Sequence, residues 1–246
     1  MVNNTNAHSR AGIESRRLQV NGRHIQYLKA GGGPPVVLIH GGASDSRDWI
    51  NTMAALADRF SFYAPDLIGF GQSERDENGY YLSDFSDFLL EFMEALELRS
   101  PVLVGHSFGA RVCLEVARLH QEKISKLVLI DASGLGKIST LGNVLFTFFW
   151  ALRKLLRKPQ PFPRFLTKEG EDYSWVGNES LQSLRMPTLL VWKRFDPYMS
   201  LAKARRAEEL IPGAKLAVVN GYGHAPHQQK NIEEFNRILL DFLDHD

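Results

Sequence analysis

Val102-Leu103-Val104-Gly105-His106-Ser107-Phe108-Gly109-Ala110 carries the most informative local pattern in the chain. A short run that is apolar at every position, of the kind buried on both faces of a sheet, ends in Gly-x-Ser-x-Gly. A helical pattern follows directly, with Arg111, Val112, Leu114, Val116 and Ala117. The two glycines leave room for a strand-to-helix turn sharp enough to thrust the Ser107 hydroxyl clear of the backbone. The same five residues adrift in a loop would mean little. Between a strand and a helix they mark Ser107 as a candidate nucleophile.

Outward from this point, short β-rich runs alternate with amphipathic stretches. Residues 17–20 and 24–28, joined by Asn21-Gly22, read as an antiparallel hairpin. Buried-strand runs are expected at 36–39, 60–64, 101–104, 126–130, 187–192 and 215–219. Residues 83–98 set Phe85, Phe88, Leu89, Phe92 and Leu96 on one helical stripe, and 232–242 repeat the device. This alternation predicts an α/β fold with a mostly parallel sheet flanked by helices. It fails between Ser133 and Met186, where the chain offers an apolar-basic helical stretch and a proline-rich turn. The expected organisation is a flexible tail over 1–15, a core from 16–133 and 187–246, and an insertion over 134–186 covering the sheet's active edge. A chain of 246 residues suits one such domain.

A serine hydroxyl needs a base within hydrogen-bond reach. His224 lies just past the last apolar run, in the glycine-punctuated loop Asn220-Gly221-Tyr222-Gly223-His224-Ala225-Pro226. His227 is its near rival. The imidazole in turn needs a carboxylate to hold its tautomer and balance its charge. Asp196 follows the strand at 187–192 by a short loop; Asp131, ending the strand at 126–130, competes for the role. An acyl-transfer oxyanion calls for backbone N–H donors. Phe108, after the nucleophile, supplies one, and Gly42, in His40-Gly41-Gly42-Ala43, is chosen for the other.

These pieces together resemble the α/β-hydrolase superfamily, in the branch of esterases, lipases and carbon–carbon bond hydrolases. The resemblance rests on His40-Gly41-Gly42, Asp66-Leu67-Ile68-Gly69-Phe70-Gly71-Gln72-Ser73, the elbow at Ser107, Asp196, and Gly223-His224-Ala225-Pro226, in the order Ser, Asp, His. It implies an eight-stranded sheet whose second strand is antiparallel, a cap inserted after the sixth strand, and neither metal nor organic cofactor. Two positions depart from the family pattern. Lys193 stands where glycine usually follows the seventh-strand tryptophan, and Gln228-Gln229 replace an acid after the histidine loop. The cap is also short for this branch, which implies an open pocket.

The expected activity is hydrolysis of a carboxylic ester carrying a small to medium apolar group, through an acyl-enzyme. Alternatives are a carbon–carbon bond hydrolase of ring-cleavage diketones and a weakly catalytic receptor of the same fold. Gly41, His106, Phe146, Phe149 and Trp150 are candidate pocket residues, with Leu145 and Phe148 in the same apolar stretch. The basic residues after it, Arg153, Lys154, Arg157 and Lys158, read as a solvated polar face, with peripheral contact to anionic lipid the weaker reading.

A net charge of +1 advertises no nucleic acid partner. The partner expected is a small-molecule substrate. No run approaches the roughly 20 apolar residues of a membrane helix. The opening MVNNTNAHSRAG lacks the apolar core of a secretory signal, so cytoplasmic residence is expected. Gly134-Leu135-Gly136-Lys137-Ile138 lacks phosphate-loop spacing, no histidine–carboxylate spacing suggests a metal site, and Cys113 reads as a buried structural thiol.

Overall fold

Side chains along a strand alternate between faces, so a run apolar at every position needs cover on both sides. The central strands receive that cover in the computed structural model. It describes residues 12–42, 44–76, 80–136, 139–156 and 176–245, and of Asn143, Phe146, Phe149, Trp150, Arg153, Lys154 and Gln229 only the backbone. Strands β1 (Glu14–Val20), β2 (Arg23–Ala30), β3 (Pro35–Ile39), β4 (Ser61–Pro65), β5 (Val102–His106), β6 (Lys126–Ile130), β7 (Thr188–Phe195) and β8 (Lys215–Tyr222) form one sheet. Its order is β1-β2-β4-β3-β5-β6-β7-β8. β2 runs antiparallel to both neighbours, and every pairing from β4 across to β8 is parallel. The β1–β2 hairpin turns at Asn21 and Gly22, both at positive φ, which matches the twist of the flanking strands.

Seven α-helices are described: α1 (Ile50–Leu56), α2 (Leu82–Ala95), α3 (Phe108–Leu119), α4 (Thr140–Leu155), α5 (Asn178–Gln182), α6 (Leu201–Leu210) and α7 (Ile232–Asp244). The sheet's alternation sorts them into two layers. Val37, Ile39, Leu103, Leu129 and Trp192 face a core shared with α2, α3 and α6. Val36, Leu38, Val104, Val128 and Val191 face the opposite core, with α1 and α7. In α2, Phe85, Phe88 and Phe92 are essentially fully buried, each contributing about 1.5–3 kcal/mol by leaving water. Cys113 of α3 is buried too, and burial pushes its thiol pKa up, away from the reactive thiolate.

The link from β6 to β7 contains α4 and α5 and, among the described residues, no strand. Its two ends nevertheless belong to the domain: Leu135, Val176, Leu181, Leu184 and Met186 pack in the core on the α3 side. Among the described residues no helix is long and apolar enough to cross a membrane. The topology also aligns chemistry. His40, Ser107, Asp131 and Asp196 immediately follow β3, β5, β6 and β7, and His224 lies just beyond β8, all at the carboxyl edge of parallel strands.

Candidate active site

Ser107 sits at the top of the elbow with φ 51° and ψ −111°, a conformation that costs a non-glycine residue about 1–3 kcal/mol. The surroundings over-determine it. The Ser107 N–H donates to the Ile130 carbonyl at 2.9 Å, and its own carbonyl accepts from the Ser133 N–H at 3.2 Å. A Cβ on Gly105 would lie 2.6 Å from the Ala110 backbone, and one on Gly109 2.4 Å from the His40 carbonyl. Both glycines are therefore required by the close approach of α3 to β3 and β5.

His224 reaches the elbow from the loop after β8; Gly221, near the end of that strand, and Gly223, just past it, adopt positive φ. Its Nε2 lies 2.8 Å from Ser107 Oγ and its Nδ1 2.7 Å from Asp196 Oδ2. The Asp196 side chain is wholly buried, and its other oxygen accepts the N–H groups of Tyr198 at 2.7 Å and Met199 at 3.0 Å. Three residues spread over 117 positions thus meet in one hydrogen-bonded line. Asp131 is close by but does not join it. Its Oδ1 accepts the Lys193 N–H at 2.8 Å, and its Oδ2 has no hydrogen-bond partner among the described residues. Burial, and then the charge of Asp196, raises its pKa well above the usual carboxylate value. The structure therefore pairs His224 with Asp196.

His106, expected to line a substrate pocket, is buried beside the His224 backbone. Its Nε2–H donates to the backbone carbonyl of His224 at 2.5 Å, which leaves Nδ1 as the bare nitrogen. Burial, followed by the neighbouring His227 and His224, keeps its pKa well below normal, so the ring is neutral. Sequence reasoning singled out His106 by position but missed this contact, because nothing local signals a partner 118 residues away. His40 was likewise seen only as part of a motif. Its Nδ1–H donates to the Gly41 carbonyl at 2.8 Å and its Nε2 accepts the Leu67 N–H at 3.0 Å, tying the loop after β3 to the loop after β4. Asp66 braces both loops by accepting the N–H groups of Ser46 and Gln72, each at 2.8 Å.

Gly41 lies against the elbow: a Cβ there would sit 2.7 Å from His106 Nδ1 and 3.4 Å from the Ser107 Cβ. Gly42 follows in the same loop, half-buried, and Phe108 opens α3 with its ring edge-on to Phe85 at 5.0 Å. Phe146, Phe149 and Trp150 belong to α4, but their side chains lie outside the described ones. His227, the rival base, is fully buried and stacked on Trp49 with ring centroids 4.5 Å apart. Asp48, His106 and His227 bring three potential ligand atoms within 4.8 Å of one another, as do His106, Asp131 and His224. In the second group the nitrogens of His224 are already engaged by Ser107 and Asp196.

An eight-stranded sheet in this order, with this elbow at its centre, defines a class of hydrolases. A family model described as alpha/beta hydrolase fold matches residues 34–179, and the chain belongs to that family. An uncharacterized protein of Mycobacterium tuberculosis is 33% identical over 275 residues, covering 92% of this chain and 80% of its own length. Among solved structures, a meta-cleavage product hydrolase from Pseudomonas fluorescens superposes with a TM-score of 0.79 at 25% identity, over 93% of this chain and 97% of that one. A carboxylesterase from Bacillus subtilis shares the fold at a TM-score of 0.83 and 19% identity, over 97% and 95% of the two chains.

Proposed function

We propose that this chain is a serine hydrolase that cleaves carboxylic esters with small to medium apolar groups through an acyl-enzyme intermediate. The observation that carries this reading is the unbroken line from Asp196 Oδ2 through His224 to Ser107 Oγ, at 2.7 and 2.8 Å. In this mechanism Ser107 Oγ–H donates to His224 Nε2 and loses its proton to it while attacking the ester carbonyl. Asp196 accepts the His224 Nδ1–H, keeps Nε2 available as base and balances the imidazolium that forms. His224 then gives the proton to the departing alcohol, and water repeats the sequence in reverse to release the acid.

The oxyanion is held by the N–H groups of Gly42 and Phe108. Two things support this choice: Gly41 brings the loop after β3 beside Ser107, and Phe108 is the first residue of α3, where backbone N–H groups point out of the helix. Losing one such donor costs about 10²–10³ in rate. The segment over 134–186 acts as a cap contributing α4, with Phe146, Phe149 and Trp150 supplying apolar surface for the substrate. Its ends are anchored in the core, so the covering part is the stretch that includes α4.

A second reading, hydrolysis of a carbon–carbon bond in a ring-cleavage diketone, is favoured by the likeness to the meta-cleavage product hydrolase across 93% of the chain. Both readings use the same three side chains. The test is turnover of short-chain nitrophenyl esters against dienol-diketones by wild type and Ser107→Ala. Preference for esters, with the variant down by on the order of 10⁶ or to the assay floor, is the expected result. Preference for diketones would replace the ester reading by the second. Hydrolysis unaffected by Ser107→Ala would overturn both.

A further inference from the structure

Helix α4 carries apolar side chains on an exposed face. Leu141, Val144, Leu152 and Leu155 are 54, 61, 37 and 77% exposed, and Phe148 on the same side is 59% exposed. Spacings of three and four residues put all five on one stripe. Single exposed leucines are ordinary in folded proteins, whereas a contiguous apolar stripe marks a surface that meets something. Of the nine large apolar side chains exposed among the described residues, six fall between positions 141 and 156. Among the described residues, apolar exposure is concentrated on this helix and the residue after it.

Charge segregates to the same segment. Residues 132–168 contain seven Lys or Arg and no Asp or Glu, while the rest of the chain holds 22 basic and 28 acidic residues. Four of the seven, Arg153, Lys154, Arg157 and Lys158, cluster at and just after the end of α4. An apolar stripe flanked by cations and free of anions is the composition of a helix that lies in a bilayer interface. At 16 residues α4 falls short of the roughly 20 needed to span one. A second copy of the chain seated face to face on the stripe would bring two such cationic segments together, whereas anionic lipid phosphates neutralise them.

We propose that α4 docks the protein peripherally on membranes rich in anionic phospholipid, its exposed stripe entering the boundary between headgroups and acyl chains and its basic end meeting lipid phosphates. Docking needs no turnover, so it stands or falls independently of the assignment of Ser107. The experiment is co-sedimentation of the full chain with vesicles of phosphatidylglycerol and, separately, of phosphatidylcholine. Binding to the first at least tenfold stronger than to the second, reversed by high salt, is expected. Each basic residue at an anionic surface strengthens partitioning about fivefold, so Arg153→Gln with Lys154→Gln should weaken it about 25-fold. Leu152→Ser with Leu155→Ser should weaken it at least tenfold, and circular dichroism and thermal unfolding of this variant should stay close to wild type, since Leu155 is largely and Leu152 partly exposed. Absent or equal binding to the two lipids overturns the proposal. So does vesicle binding indifferent to these substitutions, or a stripe whose substitution only dissolves a dimer.

Discussion

Two carboxyl groups stand at the edge where His224 needs one, and their surroundings divide the labour. Asp196 accepts two backbone N–H groups in addition to the N–H of the His224 ring. Asp131 accepts one, from Lys193, and burial together with the Asp196 charge favours its protonated form. Asp196→Asn should therefore lower kcat/KM by about 10⁴, as expected when the base is held in the wrong tautomer, while Asp131→Asn should cost less than about tenfold, within the range of a modest positioning effect. Steady-state kinetics on one ester decides; equal losses would make Asp131 part of the machinery. The same residue makes a pH prediction. Its folded pKa is raised above the ordinary 3.8, so between those values the native state holds a proton that the unfolded chain has released, and stability falls as pH rises through that window. Asp131→Asn removes this slope, so its Tm relative to wild type should be higher at pH 8 than at pH 4. The sequence favours Asp196 and keeps Asp131 as its competitor, because both follow strands; the side-chain contacts separate them.

Elements whose packing surface is large and apolar were legible before any coordinates. The runs at 36–39 and 102–104 are buried on both faces, and the stripe of Phe85, Phe88 and Phe92 commits α2 to one side of the sheet. Helices α1 and α6 were not foreseen. In α6 only Ala204 and Ala207 are buried, so a stretch reading Leu-Ala-Lys-Ala-Arg-Arg-Ala-Glu-Glu-Leu carries almost no hydrophobic period to detect. The exposure of α4 was equally hidden, since periodicity locates an apolar stripe without saying whether anything covers it. The elbow is the element where sequence and geometry agree most closely, and it is the least tolerant. A Cβ at Gly109 would meet the His40 carbonyl at 2.4 Å and the Ile39 carbonyl at 2.5 Å, both backbone atoms that cannot swing aside. Gly109→Ala should push α3 away from β3, with a cost of about 1–3 kcal/mol as in other overpacked cores, a Tm lowered by several degrees. Because α3 carries the elbow, kcat should fall by more than that loss of folded protein explains. Calorimetry paired with kinetics at a temperature where the variant is fully folded would reveal the difference, and an unchanged kcat there would show that the elbow tolerates the shift.

At the scale of the whole molecule, buried histidines join the elements of the site edge. His227 stacks on Trp49, lies 4.5 Å from the ring of His106 and meets Phe235 of α7 edge-on at 5.9 Å, so the loop after β8, the turn before α1, the elbow and α7 converge on one imidazole. Burial, and then the nearby His224, lowers its pKa to about 3. The titratable groups facing it are His106, itself held neutral by burial, His224 and Asp48. In the unfolded chain the same ring titrates near 6.5. Between these values the unfolded chain binds a proton that the native state refuses, so the contribution is complete above pH 6.5 and is lost as pH falls toward 3. Each unit descended within that window costs on the order of 1.4 kcal/mol. His227→Phe keeps a flat ring between Trp49 and His106 but has no proton to gain. Its stability at pH 7.5 should be close to wild type, and on acidification to pH 4.5 it should lose on the order of 2 kcal/mol less. Urea unfolding of both proteins across that range measures the two slopes directly. Parallel slopes would mean that the acid sensitivity of the fold resides elsewhere, with His106 the next ring to replace.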